Sequence, residues 1–123
     1  MTGVSVLEGA RSLLTRGGWV RDHVAVDERR EPCSALSPAA VAFSLGGAIE
    51  AAAGGLNVAW QIAALYLLDI WREADLESSV PPNVRIECAS CDPCLFDWEE
   101  HVASFDDVLF VLDRAIADAR VNA

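Results

Sequence analysis

The sequence predicts an all-α fold, a single helical domain over residues 1–123, and three observations carry that expectation. Val58 to Trp71, VAWQIAALYLLDIW, holds twelve apolar residues in fourteen, lacks Gly and Pro, and is too long for an ordinary strand. Two further stretches pair a helix start with a glycine stop: Ser5-x-x-Glu8 ahead of Gly17-Gly18, and Ser37-Pro38 ahead of Gly54-Gly55. Ser104-x-x-Asp107 then opens a run whose Val108, Leu112, Ala115, Ile116 and Ala119 share one face. The expected architecture is about four main helices around a buried central helix at about residues 56–74, with a long irregular cysteine-containing loop before the last helix.

In chain order, the first helix is expected from Val4 to Arg16, with Leu7, Ala10, Leu13 and Leu14 inward. Trp19 follows the glycine stop directly, a position from which an aromatic folds back over the last turn as a core lid. Periodicity disappears from Val20 to Leu36, and the charge cluster Asp27 to Glu31 before Pro32 reads as a surface loop. The second helix is expected from Ser37 to Ala53. Its Gly46 and Gly47 each cost about 1 kcal/mol relative to Ala, so a close helix contact should compensate. The central helix ends through Arg72 to Glu77 and is closed off by Pro81-Pro82. Val84 to Cys88 alternates apolar and charged residues and suits a short extended piece.

Nine basic residues, all Arg, stand against nineteen acidic ones, for a net charge of −10. That sign argues against nucleic acid and anionic membrane as direct partners and for a basic protein. The lack of Lys beside abundant Ala reads as the bias of a GC-rich bacterial or phage genome. No secretory leader is apparent, and the expected compartment is the cytoplasm. A homodimer through an apolar helix face is compatible with so hydrophobic a chain.

Two constellations are candidates for chemistry. Cys88, Cys91 and Cys94 have C-x-x-C-x-x-C spacing and, with Cys33, would suit zinc or an iron–sulfur cluster in a small metal-binding or redox protein. The competing expectations are a disulfide among the loop cysteines, or free thiols and no cofactor. From Ile86 to Asp113 there are eight acidic residues and no basic one. Within this tract Phe96, Asp97, Trp98, Glu99, Glu100, Asp106 and Asp107 form the candidate partner-binding surface, with the aromatics as anchors or as core. Neither histidine sits in a nucleophile, phosphate-loop or metalloprotease motif, so the sequence points away from an enzyme. A third candidate is a ligand pocket between Gly46-Gly47 and the aromatics Trp60, Tyr66 and Trp71.

Three stretches together resemble a family of small bacterial and phage proteins known only as a domain of unknown function. They are Leu7-x-x-Ala10-x-x-Leu13-Leu14-x-x-Gly17-Gly18-Trp19, then Phe43 to Ile49, then Trp98-Glu99-Glu100 ahead of Val108 to Ile116. Ser44 stands where that family usually has Cys, and Glu99-Glu100 where it has Asn-Asp. The resemblance implies a helical domain and brings no activity. The leading expectation is therefore a small acidic interaction module, an inhibitor or adaptor of a basic or nucleic-acid-handling protein.

Overall fold

A computed structural model describes residues 2–79, 95–101 and 103–122. Among them the chain forms α1 (Gly3–Gly17), β1 (Ala25–Val26), β2 (Pro32–Cys33), β3 (Ala42–Phe43), α2 (Leu45–Ala53), α3 (Val58–Glu73), a 3-10 turn (Leu76–Ser79), α4 (Leu95–His101) and α5 (Phe105–Val121). The domain is mostly helical, and the purely helical expectation is corrected by a small antiparallel sheet of order β2-β1-β3. The expected Val84–Cys88 extended piece and the cysteine-bearing loop lie outside the described residues.

The sheet explains why the stretch from Val20 to Leu36 is not merely surface loop. Ala25 pairs with Cys33 on one side and Phe43 on the other, and Ala25 and Val26 are buried. Strands of two residues leave no alternation for a sequence pattern to reveal. Asp27 closes the β1–β2 turn: its side-chain oxygen accepts from the amides of Arg29 at 2.8 Å and Glu31 at 3.0 Å.

α1 begins earlier than expected, because Thr2 caps it and Ser5 returns the bond to the Thr2 amide, so Ser5 is the third helical residue rather than the cap. α2 begins later. Ser37 and Pro38 lie in a turn, while Ala42 and Phe43 are drawn into the sheet, and Ser44 is the cap. Gly47 is needed for a different neighbour than a helix: a Cβ there would meet the Val24 carbonyl oxygen at 1.9 Å. The small-residue contact is thus strand-side backbone against helix.

α3 starts where expected, at Val58 behind the Asn57 cap, but it is not enclosed. Ala63, Leu67, Ile70 and Trp71 are buried against α1 and α5, whereas Val58, Ile62 and Leu65 are 68%, 42% and 59% exposed. The helix's neighbours, α1 and α5 with α2 and the 3-10 turn, all pack on one side and leave the other to solvent. α5 carries the expected capping box between Ser104 and Asp107, and Val108, Leu112, Ala115, Ile116 and Ala119 are buried. Two ion pairs lace α5 to α1 on the surface, Arg11 with Asp113 at 2.5 Å and Arg120 with Glu8 at 2.8 Å. No helix among the described residues is long and apolar enough to cross a membrane.

Candidate functional site

The short helix α4 puts Leu95, Trp98 and Glu99 on one face, the i, i+3, i+4 positions, and that face is the buried one. Trp98 packs edge-on against Trp71, with ring centroids 6.4 Å apart. Glu99 is only 3% exposed, the lone buried charged residue among those described. Its Oε2 accepts from the Trp19 indole N–H at 2.7 Å and from the Leu45 amide at 2.5 Å, and the Gly46 amide also reaches the carboxylate. The side chain therefore closes the start of α2 from a distance of fifty-four residues.

Trp19 is fixed for this task by its own neighbours. Its ring stacks on Phe105 at 5.7 Å, and the Arg21 guanidinium lies 5.1 Å from its centroid. Arg21 also donates to the Ala103 carbonyl, so its charge is directed at the link between α4 and α5. The core-lid expectation for Trp19 is sharpened: the residue is half-buried, and its indole nitrogen is a hydrogen-bond donor to Glu99.

Burial pushes the Glu99 carboxyl up to about 7, against the downward pull of the Trp19, Leu45 and Gly46 donors and with a further upward push from Glu100. All three donors are neutral, and none of the ion pairs found among the described residues involves Glu99. At neutral pH this carboxyl can hold or release a proton.

Glu99 forms part of the wall of an open cleft of about 300 Å³. Arg21, Asp22, His23 and Val24 contribute one side, Ser44, Gly46, Gly47 and Glu50 the start of α2, and Leu56, Trp60 and Glu100 the rest. Four acidic side chains, with Glu99 able to hold a proton, thus line the cleft beside one guanidinium, and its electrostatic character is acidic. The Ser44 hydroxyl accepts from the Gly47 amide at 3.0 Å and sits 3.4 Å from the Val24 carbonyl, which occupies it as a cap. The expected pocket beside Gly46-Gly47 and Trp60 is present, while Tyr66 and Trp71 do not line it.

The structure divides the expected partner surface. Trp98 and Glu99 are inside, at 1% and 3% exposure, so neither is an outward anchor; the α4 helix turns both onto the core. Glu100 is exposed beside His101 at 3.9 Å, Asp106 is exposed on the first turn of α5, and Asp107 is engaged in the Ser104 cap. The side chains of Phe96 and Asp97 lie outside the described part of the molecule, as do Cys88, Cys91 and Cys94. Cys33 is a half-buried free thiol on β2. Among the described residues no group of three or more His, Cys, Asp or Glu is arranged to hold a metal ion.

Arg21, Asp22, Val24, Glu50 and Leu56 are the cleft residues that sequence reasoning missed, and His23 stands out in the sequence only as a possible metal ligand. The short sheet is what carries residues 21–24 alongside α2, and Glu50 is brought in by α2 itself, so nothing local marks either group. Glu99 was picked as a surface charge; the Leu95-x-x-Trp98-Glu99 spacing is the signal that places it on an apolar face.

The fold and site define a small, mostly helical domain with a buried carboxyl at the edge of an acidic cleft. The chain belongs to the family of unknown function DUF6197, whose model matches residues 1–118. No curated protein and no solved structure matches it.

Proposed function

We propose that this protein is a non-enzymatic interaction module whose recognition point is the acidic cleft between residues 21–24, the start of α2 and the end of α4. The observation that carries this reading is the gathering of Asp22, Glu50, Glu99 and Glu100 around one open cavity in a chain of net charge −10. Such a field attracts a basic protein surface and speeds the encounter. The partner class is a protein that presents Arg or Lys, including one whose basic surface ordinarily meets nucleic acid. Trp60 and Leu56 add apolar area to the same wall, which suits the aliphatic stem of such a side chain.

The test is an NMR titration with an oligoarginine peptide at low and at high salt. Amide shifts concentrated at Asp22–Val24, Ser44–Gly47 and Trp60, weakening steeply with salt and lost in a Glu50→Lys, Glu100→Lys double variant, are the expected result. Small shifts spread over every acidic surface residue, or binding insensitive to the double variant, would overturn it.

A further inference from the structure

The buried Glu99 does more than close a helix end, because it is the point at which three separately built pieces meet. It rides on α4, it accepts from Trp19 behind α1, and it accepts from Leu45 and Gly46 at the start of α2. We propose that Glu99 is a proton-operated latch on the acidic cleft: carrying a proton, it stays buried between α4, Trp19 and α2; losing it, it favours an opening that brings water to the carboxylate and its charge to the cleft. The consequence for partner binding rests on the function proposed above, whereas the latch itself is a property of the free protein.

The physical basis is the mismatch between what Glu99 is and what surrounds it. Glu99 is 3% exposed; its indole and backbone-amide donors favour the ionised form, and burial, the larger effect, opposes it. The charged groups that face it across the cleft are Arg21, Asp22 and His23 from the segment before β1, Glu50 from α2, and Glu100 from α4. Arg21 directs its guanidinium at the Ala103 carbonyl and the Trp19 ring, and Glu100 repels a negative charge on Glu99. Ionisation is thus opposed chiefly by burial, with a smaller push from Glu100, and an opening that lets water reach the group relieves the burial.

The sign follows from linkage. A carboxyl whose folded value lies above its unfolded one binds its proton more tightly when closed, so the closed state is favoured fully below about 4.5 and progressively less as pH rises to about 7. Between pH 5.5 and 8 the opening ratio should rise roughly thirty-fold. The proton released goes to solvent, and no other group needs to change.

Hydrogen exchange of the Leu45 and Gly46 amides and the Trp19 indole, corrected for intrinsic pH dependence, reads this opening directly. In the wild type, protection at these three sites should fall roughly thirty-fold over that window. In Glu99→Gln, which keeps an acceptor and cannot ionise, it should be flat. His23→Gln and His101→Gln should leave the fall in place, which separates the effect of Glu99 from that of the two histidines. Flat protection in the wild type, or an equal fall in Glu99→Gln, would overturn the latch. Failure of oligoarginine to bind would instead count against the interaction reading and leave this measurement untouched.

Discussion

The starts of α2 and α5 face the same problem, amides without intrahelical acceptors, and solve it in opposite ways. At α5 the answer is local and wet: Ser104 accepts from the Asp107 amide at 3.2 Å, Asp107 accepts from the Ser104 amide at 2.9 Å, and both residues are exposed. At α2 the Ser44 hydroxyl accepts from the Gly47 amide alone, and the amides of Leu45 and Gly46 turn to a carboxyl from α4. Leu45 is fully buried, so water cannot substitute there. A helix end in water needs only its own side chains; one inside the fold needs another element, and that element becomes coupled to it.

Changes at α2 should therefore be felt more than changes at α5. The largest effect is expected at Gly47, where Ala would drive a Cβ to 1.9 Å from the Val24 carbonyl and separate β1 from α2. Urea unfolding should show a loss of about 4 kcal/mol. Replacing Glu99 by Leu leaves the Trp19, Leu45 and Gly46 donors without their acceptor. At pH 5.5, where the wild-type carboxyl is protonated, that should cost about 3 kcal/mol by the same assay.

Glu99→Gln sharpens the comparison. The stability gap between it and the wild type should move by roughly 2 to 3 kcal/mol in favour of Gln between pH 5 and pH 8, since only the wild type loses stability through that window. The smallest effect belongs to α5: Ser104→Ala should cost about 1 kcal/mol, as for an ordinary exposed cap. A loss at Ser104 matching that of Glu99→Leu would erase the distinction between the two helix starts.

The same division decides what was legible in the sequence. The Ser104–Asp107 box, the Val58 start and the Gly17-Gly18 stop are written within a few residues of where they act, and each is found in the fold. The start of α2 was misplaced at Ser37-Pro38 because a strong local cap signal was overridden by tertiary pairing of Ala42 and Phe43 with β1. The apolar run of α3 announced a helix but not how many neighbours would cover it, and Val58, Ile62 and Leu65 remain outside. Family membership was readable from three short motifs, whereas the cleft was only half readable. Gly46, Gly47 and Trp60 mark a possible pocket in the sequence, but Asp22 and His23 reach it beside a sheet of two-residue strands, Glu50 reaches it one helical turn along α2, and Glu99 reaches it across fifty-four residues.

The central claim is that Glu99 is an inward, proton-holding carboxyl that closes α2, and a carbon-13 titration of its side-chain carboxyl by NMR tests it most directly. The account predicts a midpoint near about 7, with the Leu45 amide and Trp19 indole protons moving along the same curve. A midpoint at the ordinary 4.5, with Leu45 and Trp19 silent, would place Glu99 in solvent and contradict it.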